Sequence, residues 1–129
     1  MTEGQGLTDF TNDVARWVSS TTISEGVLTL FCRHTSASLT IQENADPDVL
    51  RDLNDFFSKL APEGASLYRH DCEGPDDMPA HIKSALTDVS LSIPVMNARP
   101  TLGTWQGIYL FEHRARPHQR AVVLHLIGD

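Results

Sequence analysis

Apolar positions along the chain repeat with two periods, and the changes of period mark the predicted elements. Val14, Trp17 and Val18 stand at helical spacing behind Thr11, Asn12 and Asp13, whose side chains suit a helix start. A short helix is predicted there. After Gly26, residues 27–32 form a β-prone run carrying Val27, Leu28, Leu30 and Phe31. Leu39, Thr40 and Ile41 alternate like a strand with one buried face. The strongest helical pattern covers residues 47–60. Asp46 can cap it and Pro47 suits its first position. Val49, Leu50, Leu53, Phe56, Phe57 and Leu60 form one apolar stripe, ended by Pro62 and Gly64. A further helix is predicted over residues 77–87, with Ile82, Ala85 and Leu86 as its inner face. Val89, Leu91, Ile93 and Val95 then alternate with Ser90, Ser92 and Pro94. Residues 104–112 and 120–127 read as two more strands around a turn containing Pro117. Helices interrupting a largely antiparallel run of strands give the α+β class. The expectation is a single domain over residues 1–129, with a mixed, largely antiparallel sheet and two to three helices.

Composition narrows the function more than the fold. A chain of 129 residues is one domain by length and buries about two-thirds of its unfolded surface. The net charge of −7 argues against a nucleic-acid partner, which usually needs a basic excess or a basic face. No apolar run is long enough to span a bilayer. Met1 to Asp9 lacks the basic start and apolar stretch of a signal peptide. Cys32 lies in an apolar run and reads as core, whereas Cys72 lies in an acidic loop. A reduced cytoplasmic protein without a membrane partner is expected.

Four segments carry candidate chemistry. His34-Thr35-Ser36-Ala37-Ser38 lies between two strands and offers hydroxyl donors and backbone N–H groups to an anion. A turn whose hydroxyls bond their own backbone is the plainer reading. Tyr68 to Asp77 packs histidine and carboxylates around a Gly74-Pro75 turn and leads to His81. Histidine with carboxylate suits zinc, manganese or a similar divalent ion, and carboxylate with water suits magnesium. The spacing matches no standard zinc motif, and a solvated acidic loop capping the next helix is the alternative. In Leu102 to Gly107, two glycines bracket Trp105 and Gln106. Neighbours on a regular strand face opposite sides. Gln106 is therefore expected to touch ligand, and Trp105 to pack as core or as a subunit contact. Glu112 to Arg120 is a basic hairpin tip whose arginines suit phosphate. His125, alternating with Val123 and Ile127, reads as a satisfied core histidine.

Taken in order, these segments carry a family resemblance. His34-Thr35-Ser36-Ala37-Ser38, Glu43-Asn44-Ala45-Asp46-Pro47, Tyr68-Arg69-His70, Glu73-Gly74-Pro75-Asp76, Ala80-His81-Ile82-Lys83, Ile93-Pro94-Val95 and the run from Leu102 to Leu110 closely resemble the YjbQ-like family. The match covers nearly the whole chain. The resemblance implies an α+β fold and a homotrimer with its site near the subunit boundary. It also implies a weak thiamine-phosphate synthase activity, which joins hydroxymethylpyrimidine diphosphate to thiazole phosphate and releases pyrophosphate. The positions carried over are His34, Ser36, Asn44, Asp46, His70, Glu73, Asp76, His81, Trp105, Gln106 and Glu112. On this basis His34, His70, His81 and Asp76 are expected to be catalytic. His34, His70 and His81 are expected to hold a divalent metal, zinc or magnesium. Ser36, Asn44, Glu73, Gln106 and Arg114 are expected to bind a small phosphorylated heterocyclic substrate. Which histidine is ligand and which is acid or base stays open. The alternative is a trimeric protein that binds a metal or a phosphorylated metabolite without significant catalysis. The chain departs from the family pattern at Asp77-Met78-Pro79, so Asp77 is not expected as a ligand, and Ala98 stands where the family usually has glycine.

Overall fold

The structure, a computed structural model, describes residues 1–64 and 66–129. The chain runs β1 (Gly6–Asp9), α1 (Thr11–Ser20), β2 (Gly26–Cys32), β3 (Ala37–Glu43), α2 (Pro47–Leu60), α3 (Asp77–Leu86), β4 (Ser90–Met96), β5 (Arg99–Pro100), β6 (Gln106–Glu112) and β7 (Val122–Gly128). The class is α+β. The strands form two sheets, β1-β6-β3 and β5-β4-β2-β7, and every pairing between these strands is antiparallel.

One core lies between the two sheets. Leu28, Leu30 and Cys32 from β2, Ile93 and Val95 from β4, Ala37 and Leu39 from β3, and Ile108 from β6 all enter it. Val14 and Val18 on α1 add a helical edge to the same cluster. The three-stranded sheet is also covered on its other face, where Phe57 of α2 meets Phe111 edge-on at 5.5 Å. That double cover makes β6 buried along most of its length, the pattern of a strand packed on both sides. Among the described residues the outer face of the four-stranded sheet is left open, and Val27, Phe31, Val123 and Ile127 are exposed on it.

Several sequence expectations change here. Helix α2 has the expected bounds, and the Asp46 side chain accepts a hydrogen bond from the Asp48 N–H at 2.9 Å. Only part of its stripe packs, however: Phe56 and Leu60 are exposed. On α3 the inner face is Asp77, Pro79, Ala80 and Lys83, while Ala85 and Leu86 face outward. A buried carboxylate with ion partners replaces the apolar residues expected there. His125 is exposed, because the register of β7 against β2 turns Val122, Leu124 and Leu126 toward the core. Trp105 is 64% exposed and is not core. It lies in the turn entering β6, outside the ladder that would have fixed its face. Strands β1 and β5 are four and two residues long, too short to leave a period in the sequence.

Candidate metal centre

Helix α3 starts at Asp77, and His81 follows four residues later, so one helical turn sets both side chains on one face. The loop before it turns back at Gly74, whose φ of +105° suits glycine. A Cβ there would also lie 3.2 Å from Asp76 Oδ1. This turn brings His70 and Glu73 over the start of the helix. His70 Nε2 lies 2.6 Å from Asp77 Oδ2 and 3.8 Å from Glu73 Oε2, and His81 Nε2 lies 3.1 Å from the same Asp77 oxygen. One donor atom from each of His70, Glu73, Asp77 and His81 lies within 4.8 Å of the other three. The Asp77 side chain is 2% exposed, whereas His70 and His81 remain partly open to solvent.

The hydrogen bonds decide what this cluster can hold. His81 Nδ1 lies 3.0 Å from the Thr35 carbonyl oxygen. A carbonyl only accepts, so Nδ1–H donates and a neutral His81 carries its lone pair on Nε2. That lone pair faces the Asp77 carboxylate. Two acceptors 3.1 Å apart repel unless a proton or a cation sits between them. A backbone carbonyl that fixes the far nitrogen is the usual support of a metal-ligating histidine. Burial alone would raise the Asp77 carboxyl. Hydrogen bonding to His70 and Glu73, with the charges of His81 and Arg114, more than reverses this and holds it below the ordinary carboxylate range. Two imidazoles with one or two carboxylates suit zinc and similar transition ions better than magnesium, which prefers oxygen and water.

The segment from Glu112 to Arg120 is not the hairpin tip expected from the sequence, because β6 and β7 lie in different sheets and the segment crosses between them. Two of its arginines brace the site, Arg114 at the cluster and Arg120 at the Arg33–Ser36 loop. Arg114 donates from Nε to Asp76 Oδ2 at 2.9 Å, from Nη1 to Asp77 Oδ1 at 2.8 Å, and from Nη2 to the Glu73 carbonyl at 2.9 Å. The Ala115 N–H also donates to Asp76 Oδ2. Arg120 pairs with Glu112 and donates from Nη2 to the Ser36 carbonyl at 3.1 Å and the Ser36 hydroxyl at 3.0 Å. The Ala121 N–H donates to His34 Nε2 at 2.7 Å. Burial, followed by the Arg120 charge, lowers the pKa of His34.

Beside the cluster, the loop from Arg33 to Ser36 lies between two hollows. One, of about 330 Å³, is lined by His34, Thr35, His81, Ser84 and Ala85. The other, of about 600 Å³, is lined by Phe31, Arg33, His34, Thr35, Ser36, Val89 and Arg120, among others. They share His34 and Thr35, so the donors at His81 open onto a groove with a basic and an aromatic residue at its far end. A third, largely apolar hollow of about 460 Å³ lies between α1 and β7, lined by Phe10, Val14, Trp17 and Leu124 with Asp13 and Arg120, and it shares Arg120 with the second hollow.

The structure brings together His70, His81 and Glu73 from the residues singled out in the sequence, and adds Asp77. The spacing of Asp77 and His81 by four on a helix is the signal that reveals Asp77. His34 and Ser36 line the groove, but the His34 Nε2 is engaged with backbone and lies outside the four-residue cluster. Asp76 binds Arg114 and the Ala115 N–H. Asn44 and Gln106 lie at the other end of the β3–β6 pair, where Glu43 pairs with Gln106, whereas Ala37 pairs with Glu112 near the cluster. Six strand steps separate these ends, roughly 20 Å. Gln106 Oε1 there accepts the Gly103 N–H at 2.8 Å. Arg120, read in the sequence as one of the arginines suited to phosphate, instead pairs with Glu112 and braces the groove loop.

The sequence model described as UPF0047 protein YjbQ-like matches residues 1–129. The chain belongs to the YjbQ-like UPF0047 family. It is 56% identical over 128 residues to the UPF0047 protein sll1880 of Synechocystis sp., covering 99% of this chain and 87% of that protein. A crystal structure of a YjbQ/UPF0047 protein from Clostridium acetobutylicum superposes with a TM-score of 0.88 at 38% identity, covering 98% of this chain and 95% of that one. A YjbQ-like protein of unknown function from Sulfolobus solfataricus shares the fold at a TM-score of 0.90 and 21% identity, covering 100% and 91% of the two chains. Among the described residues, no helix is long and apolar enough to cross a membrane.

Proposed function

We propose that this YjbQ-like protein is a metal-assisted transferase with thiamine-phosphate synthase activity, joining hydroxymethylpyrimidine diphosphate to thiazole phosphate with release of pyrophosphate. The observation that carries the reading is the convergence of His70 Nε2, His81 Nε2 and Asp77 Oδ2, with the His81 lone pair turned inward by the Thr35 carbonyl. His70, His81 and Asp77 would hold a divalent ion, with Glu73 beside them. Such an ion supplies positive charge to a leaving pyrophosphate. Around it the chain's own residues bind and orient. The Arg33–Ser36 loop offers hydroxyl and cationic groups to phosphate, and Phe31 offers a flat face to a heterocycle. His34, with Nε2 bonded to backbone, has Nδ1–H as its donor toward substrate.

A homotrimer belongs to the same reading. Its support is the open outer face of β2 and β7, where Val27, Phe31, Val123 and Ile127 are 49%, 46%, 44% and 67% exposed. Exposed apolar patches of this kind mark interaction surfaces. A neighbouring copy would also give the Asn44–Gln106 end a site to approach. Two free cysteines agree with a cytoplasmic setting.

One observation favours the second reading, a protein that binds a metal or phosphorylated metabolite without significant catalysis. Arg114 and Arg120 are committed to carboxylates of the chain, which leaves fewer cations for a diphosphate. An assay with both thiamine precursors, with and without chelator, separates the two. The transferase reading expects turnover that stops with chelator and in a folded His70→Ala/His81→Ala variant. Metal uptake without turnover would favour the binding protein.

A further inference from the structure

We infer that Arg114 is a positioning residue, which aims the Asp77 carboxylate at the two histidines rather than binding substrate. The inference rests on the reading of His70, Asp77 and His81 as a metal centre. Its basis is the geometry of one guanidinium. Nε, Nη1 and Nη2 each donate to a different group of the segment from Glu73 to Asp77. All three contacts are 2.8–2.9 Å, and the side chain is 18% exposed. A planar fork of fixed geometry sets the direction of each partner.

The consequence falls on Asp77. Its Oδ1 accepts from Arg114, so its Oδ2 is the oxygen left facing His70 and His81. Asp76 holds the other edge of the guanidinium, and the Ala115 N–H shares that oxygen. Arg114 also supplies one positive charge between two adjacent carboxylates. That lets Asp76 and Asp77 be ionised side by side, and it leaves the charges of Asp77 and Glu73 to balance a divalent ion. The third contact, to the Glu73 carbonyl, ties the same guanidinium to the turn that returns His70 to the cluster. A substrate phosphate would have to displace these bonds to reach Arg114.

Lysine keeps the charge and loses the fork, so Arg114→Lys is the informative variant. Two measurements on the full chain separate this inference from the metal reading. The first uses metal-free protein and records the ring nitrogen NMR signals of His70 and His81. Arg114→Lys is expected to shift both while distant histidines such as His125 stay unchanged. Unchanged His70 and His81 signals would overturn the positioning role, whatever the protein binds. The second titrates zinc, and cobalt as a coloured substitute. Wild type is expected to bind both ions, and Arg114→Lys to bind zinc 10–100-fold more weakly with an altered cobalt spectrum. Wild-type affinity and spectrum in a folded Arg114→Lys protein would overturn the inference. Absence of zinc uptake by wild type would instead remove the metal reading, and the first measurement would still decide the role of Arg114. Should Arg114→Lys fail to fold, Asp76→Asn weakens the Nε end of the guanidinium, together with the Ala115 N–H contact to the same oxygen, and leaves the Nη1 contact to Asp77 in place. It is expected to move the same histidine signals by less. No movement there would count against the inference in the same way.

Discussion

Two carboxylates, Glu112 and Asp77, are almost completely buried, at 1% and 2% exposure, and their surroundings are opposite in kind. Glu112 is saturated by the chain. Its Oε1 accepts from the Thr2 hydroxyl at 2.6 Å and Arg120 Nε at 2.9 Å. Its Oε2 accepts from the His113 and Arg114 N–H groups and from Arg120 Nη2. Asp77 has one oxygen satisfied by Arg114, and the other faces two imidazole nitrogens, one of which presents a lone pair when its ring is neutral. Burial favours the neutral form of both carboxylates, and in both cases their partners win and keep the charge. The closed cluster can only hold the fold. The open one turns converging donor atoms toward one point, a set suited to a cation. Both are reached by one segment, the end of β6 and the loop leading to β7, which carries Glu112, Arg114 and Arg120.

Breaking the closed cluster has the largest expected effect. Arg120→Gln leaves Glu112 buried without its counter-charge and should cost about 3–5 kcal/mol of folding stability. Urea denaturation measures it, and a loss below about 1 kcal/mol would mean that the pair is not the closed unit described. In the open cluster, Asp77→Asn removes the charged oxygen between the histidines. Zinc affinity should fall by at least about 100-fold, equivalent to about 2.7 kcal/mol. Calorimetric titration of variant and wild type checks this, and equal affinities would place the ion elsewhere.

His113 sharpens the comparison from the closed side. Its ring is 1% exposed, its Nε2 is 2.9 Å from the Ser38 hydroxyl, and its Nδ1 has no partner among the described residues. Burial, followed by the Lys83 charge, lowers its pKa to about 3. The unfolded chain takes up this proton near pH 6.5, and the native chain resists it until about 3. The native state then binds fewer protons across that window. The stabilising contribution is therefore full above about pH 6.5 and declines as pH falls, by about 1.4 kcal/mol per unit. Urea midpoints between pH 7 and pH 5 should drop more steeply in wild type than in His113→Gln. Parallel slopes would show that His113 is not held neutral.

The smallest effect lies outside both clusters. Ala98 has φ +60° in the turn between β4 and β5, a region that favours glycine. Ala98→Gly should raise stability by about 0.5–1 kcal/mol without altering zinc affinity. A loss of stability on thermal melting would contradict that account of the turn.

The legible and illegible parts of this molecule divide along physical lines. Helix α2 was readable because Asp46, Pro47 and the apolar stripe act locally. The segment from His70 to His81 was readable as a donor cluster because its histidines and carboxylates are close in sequence. The departure from the family pattern at Asp77-Met78-Pro79 argues against Asp77 as a ligand, although its spacing of four from His81 puts the two together. Glu112 and Arg120 meet across the loop that crosses from one sheet to the other, and Thr2 reaches Glu112 from 110 residues away. No local period records such contacts. His34 illustrates the same limit, since its ring direction is set by the backbone of Ala121, just before β7 and far along the chain.

The most direct test of the metal centre is the zinc content of chelator-stripped protein after reloading and desalting, in wild type and in a folded His70→Ala/His81→Ala variant. The geometry of His70, Asp77 and His81 predicts one zinc ion per wild-type chain and loss of that ion in the variant. No zinc retained by wild type, or the same zinc retained by both proteins, would contradict it.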